Sequence, residues 1–465
     1  ISLPLIKGQQ VDTSADYRDF LPVNMLPIPG TAPNANGYFT NHPGISLISD
    51  NGPGSSNGGI YNTVENAMYR MVSNRLYKNN TQVAVTAALG RVTFSHSSIT
   101  TAFTGDNGKG YYWNGLTVKE FINWQPGENP QGPTNYSLAG IIDVTRNKAR
   151  YIWLTATGFI VTDLQNEQRP DFVAPIYSAE SDVDDNVGIT TWRDYVVVLG
   201  RNSTEFFRLT GDSSQIYAAQ QSLSLPFGCI STHAKCSFMG DIAVLGSPRN
   251  AAPSINMITG NGGQKISSPE VDKVLQTYSD STLQNTVLES AKWKGLNILY
   301  VHLPTETLAY IAEAGEWITL KSGLGNARWT GIDIHYNATT GDIECGDKAS
   351  GRVGTLTSES SQYGQAQEFY LQTPLLKTGK ASLFDLTIDT VSGFADKRIE
   401  MGISATENGF TYSSEHTITI STPNNYTTLP IMQRIGSSRD KIGFRLRMIT
   451  ADEINISGFS VRVEQ

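Results

Sequence analysis

A two-strand pattern that recurs through the middle of the chain is the feature that most limits its fold. In each unit an aromatic or β-branched run precedes a turn signal and a second such run, as at residues 151–154, 157–158 and 159–161. The units begin near residues 68, 111, 151, 195, 242 and 297. A hairpin that returns every roughly 40–55 residues is typical of the blades of a β-propeller. We therefore predict a mainly β chain whose blades close into a rigid ring.

The composition agrees with an all-β chain and weighs against affinity for nucleic acid. Charged residues make up only 17% of the 465 residues, whereas the chain has 43 glycines and 20 tyrosines. Turn-forming and aromatic residues suit strands and hairpins better than long amphipathic helices. A net charge of −8 lacks the excess of lysine and arginine that binds phosphates. A negative wall would instead repel a DNA duplex and let it pass without sticking.

The cysteines and the hydropathy favour a protein that assembles in a reducing compartment. The three cysteines, Cys229, Cys236 and Cys345, are too few and too odd in number for a disulfide framework. No run of 18 apolar residues occurs, so we expect no direct membrane span. The first residues also lack the basic and apolar blocks of a signal peptide.

Three regions of different character follow one another along the chain. Residues 1–60 are rich in proline, glycine and asparagine, which predicts an extended N-terminal arm with surface loops. A strand that closes the propeller is the equally weighted alternative for this region. Residues 61–355 hold the repeated hairpins and form the propeller-like domain. Residues 356–465 contain six strand-like runs, several alternating apolar and polar, which predict a β-sandwich-like domain.

The number of blades stays open at the level of the sequence. Six hairpin units are clear. A further hairpin over residues 332–336 and 343–345 would make a seventh blade. Both ring sizes fall within the range that propellers adopt.

One helical interruption of the propeller is expected at residues 268–292. Ser268 suits an N-cap, and Pro269 suits the first position of a helix. A second short helix would start at residues 280–282 and carry Leu283, Val287 and Leu288. We expect this insertion on one face of the ring, where insertions commonly contact partners.

Few arrangements of side chains resemble a metal site. Cys229, His233 and Cys236 are spaced C-x3-H-x2-C but lack a second pair at zinc-site spacing, which leaves Cys345 as the remaining candidate ligand. An acidic cluster lacks the frame of a calcium loop; its members are Glu180, Asp182, Asp184 and Asp185. Free buried thiols, a surface histidine and a solvated loop are the preferred interpretations.

Motifs for catalysis or phosphate binding are equally scarce. The glycine-rich loops 105–110 and 259–263 lack the spacing of a phosphate loop and are predicted to connect strands. Residues 404–412 distantly resemble the aspartate box of sialidase propellers, but a hairpin turn at Asn408 and Gly409 accounts for them. The six histidines are scattered, and none adjoins a nucleophile motif. We therefore predict no catalytic, cofactor-binding or metal-binding residues.

A local excess of positive charge marks the C-terminal region. Its members are Arg434, Arg439, Lys441, Arg445, Arg447 and Arg462. A strand face that pairs with acids of a neighbouring subunit is the preferred interpretation, and contact with phosphates is the alternative.

The stretch at residues 15–26, ADYRDFLPVNML, closely resembles the N-terminal region of a phage protein family. This family comprises the tail hub, or nozzle, proteins of short-tailed bacteriophages, also called packaged-DNA stabilisation proteins or tail accessory factors. Further matching stretches lie in the same order at 66–78, 90–92, 143–153, 188–194, 288–290, 302–304, 346–348, 361–363, 373–375 and 443–447. Their collinear spread makes the resemblance specific.

The resemblance implies a structural role in a short phage tail. Members of the family are taken to form a homohexamer below the portal and its adaptor ring, where they extend the DNA channel. They hold the tail needle that plugs this channel, support the tailspikes, retain packaged DNA and allow its ejection. DNA passes through without sequence-specific binding. The implied location is the virion tail, assembled in the host cytoplasm, and the family contributes no catalytic residues.

Two other functions stay open beside this one. The first is a propeller hydrolase that acts on glycans, and the second is a propeller that binds carbohydrate or peptide. Carboxylate pairs for sugar hydrolysis are set in space, so sequence spacing does not exclude them. Against an enzyme, no acid, base or metal cluster recurs at the blade ends.

Overall fold

Seven sheets stand around a common axis, and two further sheets pack face to face beside them. The computed structural model describes residues 21–30, 37–121, 140–179, 184–373, 375–427 and 430–464. In these residues each sheet is antiparallel, and helix is confined to three short segments. The predicted fold class, a β-propeller followed by a β-sandwich, is confirmed.

The ring has seven blades in the part of the chain that the structure describes, so the larger of the two expected sizes is observed. Blades 1 and 2 contain Ser56–Asn62, Ala67–Val72, Arg75–Lys78 and Thr81–Val85, then Thr93–His96, Thr101–Thr104, Gly110–Trp113 and Val118–Glu120. Blades 3 and 4 contain Ile141–Asn147, Arg150–Thr155 and Gly158–Val161, then Asn186–Trp192, Tyr195–Gly200, Thr204–Leu209 and Tyr217–Ala219.

The remaining blades complete the circle. Blades 5 and 6 contain Lys235–Phe238, Asp241–Gly246, Ser254–Thr259 and Gly262–Lys265, then Val287–Trp293, Leu296–His302, Thr307–Ile311 and Glu316–Leu320. Blade 7 contains Gly331–Asn337, Asp342–Asp347, Arg352–Thr357 and, from the N-terminal region, Gly44–Asp50. The innermost strand of blade 7 contacts that of blade 1, which closes the ring.

Burial explains why the central strands of each blade read as continuous apolar runs. In blade 4, Val196, Val197, Val198 and Leu199 are all fully buried. Such a strand has a neighbouring blade on each of its faces, so both sets of alternating side chains are covered. Tight turns with left-handed residues, such as Asn79 and Asn80 at φ 47° and 63°, return the chain between strands.

The N-terminal region contributes strands to both domains. Gly44–Asp50 pairs with Arg352–Thr357 and places Ile45, which is fully buried, opposite Leu356. Gly44–Asp50 thus follows the equally weighted alternative, a strand that closes the propeller, in place of an extended arm. The apolar residues of this region complete sheets whose other strands come from distant parts of the chain. Residues 1–20 and 31–36 of that arm lie outside the described residues.

The helical insertion is shorter than predicted. Helices span Pro269–Gln276 and Asp280–Leu283, and a 3-10 turn spans Gln221–Leu223. Residues 287–292 are strand, because Val287–Trp293 pairs along its whole length with Leu296–His302. Tertiary pairing thus overrides the helical spacing of Val287 and Leu288. The helices that the structure describes are all too short for a bilayer crossing.

Two sheets with a shared apolar core form the sandwich. One sheet contains Met25–Ile28, Tyr38–Asn41, Asn455–Glu464, Ala381–Thr390 and Ile431–Ser438. The other contains Gln367–Gln372, Lys441–Thr450, Ile399–Thr406 and His416–Ser421, with the short strand Leu376–Lys377 beside Lys441–Thr450. Phe39, Leu386, Met401 and Phe444 are among the residues buried between them. Two strands of this sandwich precede the propeller in sequence.

A three-residue strap, residues 22–24, joins the propeller to the sandwich. Thr319 of blade 6 donates to the Pro22 carbonyl at 2.8 Å, and Asn24 donates to the Thr319 carbonyl at 2.9 Å. On its other side, Val23 and Tyr370 exchange backbone hydrogen bonds of 3.0 and 3.1 Å. The Asn24 side chain adds a bond to the Glu368 carbonyl at 2.8 Å. The two domains are therefore hydrogen-bonded through one shared segment.

Candidate functional site

Charged side chains converge where the innermost strands meet. We call Arg91, Asp143, Lys235, Glu289 and Asp333 the axial cluster. The segment before blade 2 supplies Arg91, and the innermost strands of blades 3, 5, 6 and 7 supply the other four. Charged residues are rarely buried unless they are paired, so their partners decide what this cluster does.

Asp333 and Glu289 hold the Arg91 guanidinium between blades 6 and 7. Arg91 Nη2 lies 2.6 Å from Asp333 Oδ1 and 2.9 Å from Glu289 Oε1. Asp333 Oδ2 also accepts hydrogen bonds from Ser56 Oγ at 2.5 Å and from the Gly58 amide at 2.9 Å, both in blade 1. Burial by itself lowers the pKa of Arg91, but the charges of Asp333 and Glu289 outweigh it and raise that pKa.

A second buried ion pair joins blades 3, 4 and 5. Lys235 Nζ lies 2.7 Å from Asp143 Oδ2, and the side chain of Asp143 is fully buried. The same oxygen accepts from the Ile189 amide of blade 4 at 2.8 Å, while Lys235 also donates to the Thr232 carbonyl at 2.6 Å. Together with the contacts of Asp333, these hydrogen bonds involve a residue from each of the seven blades or from the segment that leads into it.

A buried chain of hydrogen bonds leads outward from Glu289 to Lys348. His302 Nε2 lies 3.3 Å from Glu289 Oε2, and His302 Nδ1 lies 2.8 Å from Lys348 Nζ. Burial, followed by the charge of Lys348, lowers the pKa of His302 to about 4, so the ring is neutral at pH 7. Because Nδ1 faces the lysine donor, Nε2 carries the hydrogen that Glu289 accepts.

Two further pKa shifts follow from the same burial. Burial alone would raise the pKa of Glu289, but the hydrogen bond from His302 and the charge of Arg91 hold it well below its usual value. The pKa of Lys348 falls to about 7, chiefly because it is buried and next because Arg328 is also cationic. Lys348 nevertheless donates to the Trp329 carbonyl at 3.1 Å.

The axial carboxylates are fully used as acceptors within the chain. Glu289 Oε1 accepts from Arg91 and from the Asp333 amide, the latter at 2.9 Å, while Oε2 faces His302. Asp143 Oδ1 accepts from the Val144 amide at 2.8 Å. The cavity that Arg91, Lys235, Glu289 and Asp333 line has a volume of only about 190 Å³. The arrangement thus locks the blades together, and an acid–base pair for sugar hydrolysis would need free carboxylates instead.

The cysteine–histidine array Cys229, His233 and Cys236 has its thiols hydrogen-bonded or buried within the described part of the chain. The three thiols are free, and Cys229 donates to the Ser231 and Ala234 carbonyls. Burial raises the pKa of Cys229 to about 11 and that of Cys345 to about 12. No three potential ligands converge among the described residues. His233, expected at the surface, instead lines the axial cavity.

The acidic and glycine-rich loops have structural roles where they are described. Asp184 accepts from the Asn202 amide at 2.5 Å and from Ser203 Oγ at 3.0 Å, which fixes a hairpin turn. Glu180 and Asp182 lie outside the described residues. The loops 105–110 and 259–263 connect paired strands, as predicted.

The segment that resembles an aspartate box forms a turn. Asn408 Oδ1 accepts from the Phe410 and Thr411 amides, each at 2.9 Å, and Gly409 has φ 80°. The segment follows the strand Ile399–Thr406, whose antiparallel partner is His416–Ser421. The hairpin interpretation of these residues is confirmed.

Two of the six cations of the predicted basic face have carboxylate partners within the chain. Arg447 pairs with Glu368 at 2.6 Å, and Arg462 pairs with Asp385 at 3.1 Å. The Arg445 guanidinium lies 4.2 Å from the ring centroid of Tyr412. The expected pairing of this face with a neighbouring subunit stays a prediction.

Sequence reasoning singled out none of the axial cluster as a site. Its members lie in five separate segments, so no spacing rule joins them. The resemblance offers a signal, since three of the five lie in its stretches: Arg91 in 90–92, Asp143 in 143–153 and Glu289 in 288–290. The cluster's neighbours His302 and Lys348 lie in 302–304 and 346–348, whereas Lys235 and Asp333 lie outside the stretches.

Comparison with known proteins gives the family of the chain. The model of the bacteriophage P22 Gp10 β-propeller matches residues 1–361, and that of the P22 Gp10 β-sandwich matches residues 368–464. The tail hub protein gp10 of Salmonella phage P22 is 36% identical over 475 residues, which covers 99% of each chain. The chain belongs to the phage tail hub family. The relationship spans both domains of these tail hub proteins.

Solved structures of other proteins are more distant from this tail hub chain. The extracellular domain of a putative hybrid two-component system from B. thetaiotaomicron, BT3049, has a TM-score of 0.45 and 10% identity, covering 90% of this chain and 59% of the other. The β-propeller domain of Cps50 (Swd1) from Myceliophteria thermophila has a TM-score of 0.41 and 8% identity, covering 67% and 98%.

Proposed function

We propose that this chain forms a homohexameric hub at the end of a short phage tail and extends the DNA channel there. The match to the P22 tail hub protein over 99% of both chains supports the tail role. The hub would reside in the virion tail and assemble in the host cytoplasm. Its role is structural, with no catalytic residues.

The narrow propeller axis is the observation that supports a conduit between subunits. Ion pairs cross the centre of the ring, and the cavity beside them, of about 190 Å³, is far too small for a duplex. A channel for DNA must then lie between several copies of the chain. A closed ring of identical subunits provides such a channel through heterologous contacts.

The partners in this proposal are those that the family resemblance implies. The ring would attach to the portal adaptor, hold the tail needle and support the tailspikes. A surface of net negative charge supports passage of DNA without sequence-specific binding. The hydrogen bonds of the strap to both domains and the axial ion pairs support a subunit that resists the pressure of packaged DNA.

A reconstitution experiment tests this role. DNA-filled heads that carry the portal and adaptor but lack this chain are incubated with nuclease, with and without added protein. We expect the protein, added with the needle, to reduce the nuclease-sensitive DNA. Equal loss of DNA with and without the protein would contradict the proposal. Release of reducing sugar from host polysaccharide would favour the glycan hydrolase instead.

A further inference from the structure

The outer end of the sandwich carries unpaired positive charge. We call Lys377, Lys380, Arg439 and Lys441 the basic tip. All four are exposed, and none has an ion-pair or side-chain hydrogen-bond partner among the residues whose placement is described. Lys377 is directly opposite Lys441 in the antiparallel pairing. Like charges opposite each other destabilise a sheet, so the fold alone does not explain them.

The other end of the same domain carries an apolar pocket with an acidic rim. Its volume is about 420 Å³, and its floor includes the buried Ile399, Ile420 and Ile454. Its charged lining residues are all acids, namely Glu359, Asp396, Asp452 and Glu453. Glu453 also pairs with Lys294 of blade 6 at 3.1 Å. We call this site the junction pocket, because Glu359 follows the last propeller strand in sequence.

Exposed aromatic surface at the junction pocket indicates a protein partner. The side chain of Phe394 is 75% exposed and that of Tyr426 is 61% exposed, and their rings contact each other at 5.2 Å. Val391, which also lines the pocket, is 60% exposed. Contiguous apolar surface of this kind marks interaction sites. Its acidic rim requires that the partner be basic.

The basic tip and the junction pocket lie at opposite ends of the same strands. Ala381–Thr390 begins beside the tip, where Ala381 pairs with Ser438, and ends at Thr390 in the pocket wall. Lys441–Thr450 runs the same way, from Lys441 to the residues just before Asp452. Each strand has ten residues, so the two patches are about 30 Å apart.

We propose that the basic tip of one copy docks at the junction pocket of the next copy. This inference rests on the proposed ring and specifies which surfaces form it. The four cations of the tip outnumber Asp440, the acid between Arg439 and Lys441, so the tip is positive overall. They would face a rim of net negative charge, and the partner of each patch is present on the chain itself. The contact is heterologous, as a closed ring requires. Phosphates of DNA would match the basic tip alone and would leave the exposed aromatic pocket without a partner.

Charge reversal at each patch tests the docking. The tip variant is Lys380→Glu with Arg439→Glu, and the pocket variant is Glu359→Lys with Asp396→Lys. These side chains are exposed, so the fold should tolerate the changes. Ring mass is measured by native mass spectrometry after mixing with portal–adaptor particles. We expect each variant alone to need at least about tenfold more protein for ring formation, since like charges would meet.

An equal mixture of the two variants is the decisive experiment. The glutamates of one variant then face the lysines of the other, and the unchanged patches also match, so an alternating ring should form at the wild-type concentration. Lys119→Glu, an exposed reversal on blade 2, is the control and should leave assembly unchanged.

The outcomes separate this interface from the proposed function. If the wild-type chain stays a monomer on the particles, the hub proposal fails and the interface with it. If the wild type and both variants form rings alike, the interface is overturned and the hub remains. A tip variant that forms normal rings but no longer binds duplex DNA would also overturn the proposed interface. That result would favour contact of the basic tip with DNA phosphates.

Discussion

Single charged side chains at the axis determine how firmly neighbouring blades are held. Asp143 connects blade 3 to the Ile189 amide and to Lys235, and Asp333 connects blade 7 to blade 1 and to Arg91. In each case one carboxylate accepts hydrogen bonds from donors on different segments of the chain. A buried charge with its partners in place is tolerated, whereas removal of one partner leaves the other uncompensated.

Replacement of Lys235 by methionine tests whether the ion pairs of the axial cluster stabilise the propeller. The Asp143 carboxylate would stay buried without its cation, and we expect the free energy of unfolding to fall by about 3 kcal/mol or more. Lys148→Met is the matched control, since Lys148 pairs with Asp194 at 2.7 Å on the exposed surface and its loss should cost about 0.5 kcal/mol or less. Urea unfolding measures both. Equal losses in the two variants would contradict a special role of the axis.

Two buried histidines predict loss of stability in mild acid. Burial lowers the pKa of His42 to about 3 and that of His302 to about 4, whereas unfolded histidine has a pKa near 6.5. As the pH falls below 6.5 the unfolded chain binds protons that the folded chain does not, so stability falls. By pH 5 the loss is about 2 kcal/mol for each histidine.

Urea midpoints at pH 7.5 and pH 5 measure this effect. His42→Gln removes one titrating group, so its midpoint should depend less on pH than that of the wild type. His416→Gln is the control, since His416 is exposed and its removal should leave the pH dependence unchanged. Equal pH dependence in all three proteins would show that His42 does not titrate with unfolding.

At the scale of elements, the N-terminal strands decide whether the two domains are complete. Tyr38–Asn41 pairs with Asn455–Glu464 at the far end of the chain, and the Ile454 amide donates to Asn41 Oδ1 at 2.8 Å. Phe39 is buried in the sandwich core, while its neighbour Tyr38 is 39% exposed. The strand therefore has a core face and a solvent face.

Alanine at Phe39 and at Tyr38 tests this assignment. We expect Phe39→Ala to lower the free energy of unfolding by about 3–5 kcal/mol, because it leaves a cavity between the sheets. Tyr38→Ala should cost about 1 kcal/mol or less. Thermal unfolding monitored by circular dichroism distinguishes them. Small and similar effects would mean that this segment is a peripheral arm after all.

Elements with local partners could be predicted from the sequence, and elements with distant partners could not. The blade hairpins pair with their neighbours in sequence, so alternating runs and turn signals were enough to find them. Gly44–Asp50 pairs with Arg352–Thr357, and no local pattern contains that information. The strand at Val287–Trp293 was mistaken for helix because its apolar spacing fits both structures and only its pairing decides. The axial site escaped prediction for the same reason, since its charges meet only after ring closure.

At the scale of the whole molecule, the axial ion pairs connect the blades, and the strap connects the propeller to the sandwich. Blade 6 and the sandwich share residues 22–24, and the ring closes with a strand from the same region. In the proposed hub, a passage for DNA would therefore be a property of the assembly, formed by the outer surfaces of several subunits. Opening at ejection would then move subunits or a plug.

A density map of the assembled tail tests this claim most directly. We expect a ring of six copies with the channel between them, and an axis of each propeller still occupied by Arg91, Lys235, Glu289 and Asp333. DNA density along a propeller axis, or a single copy of the chain at the end of the tail, would contradict it.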